Sequence, residues 1–536
     1  MIIYPYSNIH SMNKLIPIIG LEIHVELKTK SKMFCSSPNN PFIDTPNLNI
    51  CEVCTAQPGT LPVPNKEAII WTVKISDALG CKINELSKFD RKHYFYPDLP
   101  KAYQISQYDQ PIGEHGKVEL LMNLLGKDKN HRDRAVIGIT RVHLEEDTAK
   151  LDHSTSGNTL VDFNRAGVPL VEIVSDPDIQ SGLEAKTYCQ ELQLILRYLD
   201  VSDADMEKGQ MRCEANISLQ EEGKFEIVNG LVKPLGNYKL NPKVECKNIN
   251  SFRAVEKAID YEIKRETELL NNGETWQQET RGWDDNKQAT VHQRFKETAA
   301  DYRYFPEPDI PPFHPLKLAG EIVLPELPLE KRSRFHGEFG FSYADAYLLT
   351  ADQHWAEFTE QVVSELHDWI HNLPETKKNS SSKKGEVQKP QQELARLSGG
   401  WLTSKLMGAM KERNIEIKTL KIKPENFAEL IALIFAGRVN STNAQKILIE
   451  MLESGVDLDP THVMEEKGYG QISDIGKIGK VVDEVIRDNP KQVEQFKAGK
   501  EPLIKFLVGM VMKATEGSAD PVVAEKLLRE KIASQP

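Results

Sequence analysis

The sequence predicts an α+β protein in which a sheet-rich N-terminal half precedes an all-helical C-terminal half. Residues 16–310 read mostly as short runs of alternating apolar and polar residues joined by Pro, Asn and Gly turns, the period-2 mark of strands. Two stretches in the same region, roughly 183–199 and 253–270, instead repeat apolar residues at helical spacing. Beyond the Pro-rich segment 305–312 (FPEPDIPP) the period becomes 3.6 and stays so to the end, which makes that segment a domain boundary.

Taken in order, the clearest strand is 19–27 (IGLEIHVEL): Ile19, Leu21, Ile23, Val25 and Leu27 point one way, Glu22, His24 and Glu26 the other. Strand 139–146 places Arg141, His143 and Glu145 on one face, with Asp147 following. Residues 160–164 carry Asp162, and 169–175 carry Glu172 in otherwise apolar company. The helix at 183–199 aligns Tyr188, Leu192, Ile195, Leu196 and Leu199 on one stripe. Strand 210–219 alternates Gln210, Arg212, Glu214, Asn216 and Ser218 with Met211, Cys213, Ala215, Ile217 and Leu219. The helix at 253–270 has its stripe at Val255, Ile259 and Ile263. In the helical half, 375–392 (ETKKNSSSKKGEVQKPQQ) is polar and Lys/Ser-rich and reads as a solvated loop. From Pro424 short helices separated by turns at Gly437, Gly455 and Gly468 suggest a compact bundle.

The 536 residues are 40% apolar and 27% charged, and at ordinary domain sizes they suit about three domains. The net charge of −12 argues against indiscriminate nucleic-acid binding, though a local basic face is compatible with it. The best candidate for such a face is Arg487, Lys491, Lys497, Lys500 and Lys505, interrupted by Asp488, Glu494 and Glu501; a merely solvated helical face is the other reading. No apolar run approaches the roughly 20 residues needed to span a bilayer. With Lys14 the sole positive charge in residues 1–19, a cytoplasmic address is expected, with an organellar one as the alternative and Met12 as an alternative start. Seven scattered cysteines suggest reduced thiols.

Several strands thus present acidic and basic groups from one side. Two readings stand side by side: the solvated outer face of an antiparallel sheet, and a magnesium–nucleotide site. Mg²⁺ is held by a few carboxylates plus phosphates, and Arg or Lys neutralises a transferring phosphoryl group. Neither G-x-x-x-x-G-K-[ST] nor G-x-G-x-x-G occurs, which argues against Walker and Rossmann sites. Cys51 and Cys54 have metal-knuckle spacing, with Cys35 sixteen residues upstream of Cys51. Three thiolates suggest structural zinc with a fourth ligand from Ser37, Cys81 or His93; a redox-inert cysteine cluster is the other reading.

The motifs IGLEIHVEL (19–27), SKMFC (31–35), PGTLPVPNKEA (58–68), FDRKHYFYPDLPKAYQISQYDQPI (89–112), RVHLEEDTAK (141–150), LVDFNRAGVPLVEIVSDPDI (160–179), RCEAN (212–216), QETRGWDD (278–285), DYRYFPEPDIPP (301–312), EEKGYGQISD (465–474) and FLVGMVMKATEG (506–517) resemble the B-subunit family of aspartyl/glutamyl-tRNA amidotransferases over nearly the whole chain. The resemblance implies an antiparallel-sheet cradle similar to glutamine synthetase at 12–312. A helical domain at 313–423, with the Lys/Ser-rich loop, and a helical tail at 424–536 with a possible tRNA contact would follow. It implies that ATP phosphorylates the side-chain carboxylate of glutamate or aspartate on a misacylated tRNA, and that ammonia then gives the amide. Glu22, His24, Glu145 or Glu146, and Glu172 match family positions around the magnesium–nucleotide site; strand alternation adds Glu26, Arg212 and Glu214.

Residue 2 is Ile and no cysteine sits in a G-x-C-x-G context, so the chain offers no glutaminase nucleophile. The resemblance supplies one on an amidase-type glutaminase, the family's A subunit, tied in by a small C subunit. The chain departs from the family at Cys35-Ser-Ser37, where many members have Cys-x-Cys. It also departs at 516–520, where a basic stretch is usual, and in the loop at 375–392, which reads as an insertion. A ligase for a free amino acid and a non-catalytic tRNA scaffold are the alternatives.

Overall fold

The computed structural model of the chain describes residues 14–122, 132–153, 157–295, 302–372, 388–470, 475–515 and 517–534. It divides into two compact units, one ending at Pro328 and the other beginning at Leu329.

The N-terminal unit is built on a nine-stranded sheet. Its strands in chain order are β1 (Leu15–Glu26), β2 (Lys82–Ile83), β3 (Gly113–Leu121), β4 (Arg134–Glu146), β5 (Pro169–Ser175), β6 (Met211–Glu221), β7 (Val244–Ile249), β8 (Glu279–Asp284) and β9 (Ala289–Phe295). They lie side by side as β9-β8-β7-β6-β1-β5-β4-β3-β2. Every pairing is antiparallel except β7 with β8. The strand first in sequence therefore lies at the centre, with β5 and β6 as neighbours.

The alternation of β1 decides which way the sheet faces. Ile19, Leu21, Ile23 and Val25 are fully buried in one apolar cluster with residues of helices α1 (Lys66–Ala78), α2 (Gly182–Tyr198) and α3 (Phe252–Asn271). Their burial supplies the main driving force for this layer. Each helix starts where a side chain satisfies free backbone N–H groups: Asn65 accepts from Glu67 and Ala68, Ser181 from Glu184, and Ser251 from Ala254. The two amphipathic stretches read from the sequence are α2 and α3, each within one residue of its expected ends.

One detail differs from the sequence reading. Leu160–Asp162 is not part of the large sheet: it pairs with Lys150–Asp152 in a separate hairpin, which takes Asp162 off the common face. In the Pro-rich segment, Phe305–Pro306 joins a three-stranded sheet with Asp90–His93 and Tyr103–Ser106. There Arg91 donates to both oxygens of the buried Glu307, at 2.7 and 2.8 Å.

The C-terminal unit is helical in its described residues, with two apolar clusters, one between Phe335 and Val463 and one between Ile478 and Ile532. Pro424–Phe435 packs against Gln353–Asn372, so the first cluster runs across residue 424. Of the expected polar loop, residues 375–387 lie outside the described residues, and 388–392 open the helix Gln388–Gly400. Residues 471–474 of the EEKGYGQISD motif and Glu516 of the acidic tail segment also lie outside the described residues. No helix among the described residues is long and apolar enough to cross a membrane.

Helix α3 also buries charge. Glu262 and Glu266 are both fully buried, and Glu262 accepts from Arg265 at 2.7 Å. Burial, then Glu262, push the Glu266 carboxyl up to about 9, against the pull of Arg265 and the Leu219 backbone and with Glu279 adding to the rise. The folded protein holds this proton at pH values where the unfolded chain has lost it, so stability falls as pH rises from the ordinary carboxyl value of 4.5 towards 9. A Glu266→Gln variant, which needs no proton there, is expected to gain stability over the parent progressively between those limits. Urea midpoints at three pH values measure it; a constant difference would show that Glu266 is ionised in the fold.

Candidate active site

The polar face of the sheet is ordered in rows by strand register. In one row His143 of β4 lies opposite Glu172 of β5, Glu172 opposite His24 of β1, and His24 opposite Arg212 of β6. In the next, Arg141, Val174, Glu22 and Glu214 follow one another across the same strands. On the other side of the central row, Glu145 and Glu26 both lie opposite Leu170. Residues directly opposite in an antiparallel pair point to the same face, so neighbouring strands far apart in sequence converge on one patch.

At its centre two imidazoles and two carboxylates alternate. His24 Nε2 lies 3.4 Å from Glu172 Oε2 and 3.8 Å from Glu145 Oε1. His143 Nε2 lies 3.2 Å from the same Glu172 oxygen and 3.8 Å from Glu145 Oε2. Both carboxylates are buried. Ser106 donates to Glu145 at 2.9 Å, and an Arg141 Nη2 stands 4.0 Å from Glu172.

Burial opposes ionisation of every group here, and the neighbours overrule it. The Glu172 carboxyl is held well below its usual range by His143 and His24, and that of Glu145 is lowered by the neighbouring His143 and by Lys92. Against burial, Glu172 and then Glu145 push His24 up to about 9. Lys92, from Asp90–His93, stays charged against burial because Glu145 and Glu172 face it.

A second charged group lies beside the first. Arg212 pairs with the buried Asp147, with Arg165 3.6 Å from the same carboxylate oxygen. Burial opposes ionisation of Asp147, but these two guanidiniums hold its carboxyl down. Glu26 has no such pairing among the described residues, and burial, then the charge of Asp147, push it up to about 8. Burial, then Glu172 and Glu214, also raise Glu22, which accepts from Asn216 at 3.0 Å. Lys247 donates to Glu214 at 2.6 Å.

Of the expected site residues, the structure brings together His24, Glu145 and Glu172, whose donor atoms all lie within 4.8 Å of one another. Glu22, Glu26, Arg212 and Glu214 share the face without joining that group. Glu146 is not brought there: it accepts from Lys101 at 2.8 Å and from the Ile105 N–H at 2.9 Å, and lines a separate cavity of about 240 Å³ with Lys101, Tyr103, Cys35 and Cys54. Lys92 is absent from the expected set. Its only sequence signal is its place in the 89–112 motif, because a four-residue strand alternates too briefly to orient its side chains.

One imidazole nitrogen and two converging carboxylates fit a hard divalent cation such as Mg²⁺, whose remaining positions water and phosphate fill. Among the described residues, Cys35, Cys51 and Cys54 form the other group with donor atoms within 4.8 Å of one another. Beside them the fully buried Lys32 reaches Cys54 Sγ at 3.8 Å and the Phe163 carbonyl at 3.2 Å. A hydrogen bond from Cys35 lowers the Cys54 thiol to about 5 despite burial, with Lys32 assisting. Of the expected fourth ligands only Ser37 is adjacent, through its contact with Cys35. Cys81 is bonded by the Gly116 N–H instead, and His93 stacks on Phe305 with ring centroids 4.8 Å apart.

Residues 17–319 match the family model of the GatB/GatE catalytic domain, and residues 386–532 that of the GatB domain. The chain is 44% identical over 527 residues to the B subunit of the aspartyl/glutamyl-tRNA(Asn/Gln) amidotransferase of Rippkaea orientalis, covering 96% of this chain and 97% of that protein. Proteins of the same name from Persephonella marina (43% over 517 residues, 96% and 98% covered) and Thermotoga neapolitana (42% over 530 residues, 97% and 99% covered) are nearly as similar. With a catalytic-domain match over more than half its length and such relatives along almost all of theirs, the chain belongs to the GatB family, the B subunits of aspartyl/glutamyl-tRNA(Asn/Gln) amidotransferases.

Proposed function

We propose that the rowed face of the N-terminal sheet is where this chain, as part of a carbon–nitrogen ligase, activates the side-chain carboxylate of Glu-tRNA(Gln) or Asp-tRNA(Asn) with ATP. The observation that carries the reading is the convergence of His24, Glu145 and Glu172 between two guanidiniums. A carboxylate is a poor acceptor for ammonia until its oxygen becomes a leaving group, and phosphorylation provides that. His24, Glu145 and Glu172 would hold Mg²⁺, which would supply positive charge to the phosphate oxygens of ATP. Arg141 and Arg212 supply fixed donors on either side, each with an Nε that is buried without a partner among the described residues. Glu22, Glu26 and Glu214 border the site on the same face.

Ammonia comes from a partner: an amidase-type glutaminase as A subunit, with a small C subunit joining the two, suits a chain that offers no glutaminase nucleophile. The helical unit, with Lys491, Lys497 and Lys505 exposed, is the part proposed to touch the tRNA. Cys35, Cys51 and Cys54 fit a structural Zn²⁺ whose fourth position Ser37 or a water completes, with Lys32 offsetting thiolate charge. Zinc analysis of the purified chain tests this: bound metal in the parent and none in Cys54→Ser is expected, and its absence from the parent would leave the thiols as a reduced cluster.

His24→Ala is expected to lower ATP hydrolysis dependent on charged tRNA by about 10²–10³-fold, since it removes a group that acts on developing charge. Binding of the tRNA should persist, because the apolar face of β1 is untouched. Glu22→Ala, one row away, should lose less. Near-normal hydrolysis in His24→Ala would move the site elsewhere, and turnover with free glutamate would make the substrate an amino acid.

The purified single chain is expected to amidate charged tRNA with ammonium and not with glutamine. Glutamine-dependent amidation by the chain alone would mean that a nucleophile has been overlooked.

A further inference from the structure

We infer that His143 is a positioning residue of the cation site, holding Glu145 and Glu172 in the geometry that His24 completes. This rests on the cation site proposed above and adds to it a residue outside the convergent donor group.

His143 is 2% exposed, and its Nε2 is committed to the two carboxylates, 3.2 Å from Glu172 and 3.8 Å from Glu145. Its Nδ1 is buried and has no hydrogen-bond partner among the described residues. An imidazole chosen for packing alone would be replaced by an apolar side chain at less cost, since a buried polar atom without a partner is unfavourable. What the imidazole offers is one N–H donor placed between two anions. Its position follows from register: Glu172 is its cross-strand neighbour and Glu145 lies two residues on, on the same face. Like-charged carboxylates repel, and their side chains have free torsions that would let them turn apart. A shared donor behind them keeps one oxygen of each turned towards His24. Hydrogen bonds to ligating carboxylates orient them and raise metal affinity in this way.

The test uses the full chain assembled with its partner subunits, with Mn²⁺ as the probe, read by electron paramagnetic resonance in the absence of nucleotide and tRNA. His143→Leu keeps the volume and removes the donor; His143→Gln keeps an N–H near the position of Nε2. His143→Leu should raise the Mn²⁺ dissociation constant by about 10–100-fold, the usual cost of losing a group that orients a metal ligand. His143→Gln should retain most of the affinity. Hydrolysis of ATP with charged tRNA should recover in His143→Leu at saturating cation, so that the half-saturating Mg²⁺ concentration moves and kcat does not.

If His143→Leu does not fold, His143→Asn replaces it, since its shorter amide falls short of both carboxylates, and it should bind Mn²⁺ more weakly than His143→Gln. A lower melting temperature with unchanged Mn²⁺ affinity would make His143 a packing residue and overturn the inference. Loss of binding as complete as in His24→Ala, in the Leu and Gln variants alike, would make it a ligand and overturn the positioning role. Unchanged affinity in His24→Ala itself would instead overturn the cation-site reading beneath it.

Discussion

Two carboxylates buried side by side in the middle of a sheet set the terms for the rest of this structure. Glu145 and Glu172 are each almost fully shielded from water, and each faces the other's charge. Desolvating a single carboxylate costs several kcal/mol, and a second beside it adds repulsion. The pair persists because cationic groups arrive from separate segments of the chain: His24 on β1, His143 on β4 between Arg141 and Glu145, and Lys92 on the small three-stranded sheet. No two of these segments are neighbours in sequence. The small sheet, the docking of Phe305–Pro306 and the order of the central strands therefore serve one electrostatic requirement as well as packing.

That requirement leaves little freedom in register. A slip of one residue in β1 would carry Glu22, His24 and Glu26 into the apolar layer and expose Leu21, Ile23 and Val25. The apolar layer and the charged patch thus fix the same strand from opposite sides. The register of β4 against β5 shifts between Ile139 and Arg141, at the threshold of the site, where such irregularities re-aim side chains.

The strands that carry the site were legible because their alternation is long. The full lengths of β1 and β6 assign a face to Glu22, His24, Glu26, Arg212 and Glu214 without any partner being known, and the ends of α2 and α3 follow from apolar spacing. Adjacent Glu145 and Glu146 could not be separated by resemblance, since both belong to one motif. Backbone geometry separates them, turning Glu146 to Lys101 and the Ile105 N–H. Asp162 failed as a member of the face for a topological reason: so short an alternation does not say which strand it will pair with. In the helical half, Pro424 at the start of a helix has the look of a boundary, but a proline at that position only starts a helix. Whether a helix also starts a domain depends on what its apolar face meets, here Gln353–Asn372, and periodicity cannot report that.

The two guanidiniums beside the acid group add a last step. Arg212 commits one arm to Asp147, and Arg141 approaches Glu172 only at 4.0 Å, while the Nε of each stays buried without a partner among the described residues. Buried unsatisfied donors are rare in native proteins because nothing offsets their lost hydration. Two of them on one face of the same sheet, from β4 and β6, are therefore not a packing accident of one residue. Transfer of a phosphoryl group needs donors fixed before the charge moves, since donors that must first turn from water contribute less. In the function proposed above, the stability forgone at Arg141 and Arg212 is the preorganisation of the site. It is possible because the apolar layer beneath β1, β4 and β6 holds the strands in place independently of what their polar faces bind.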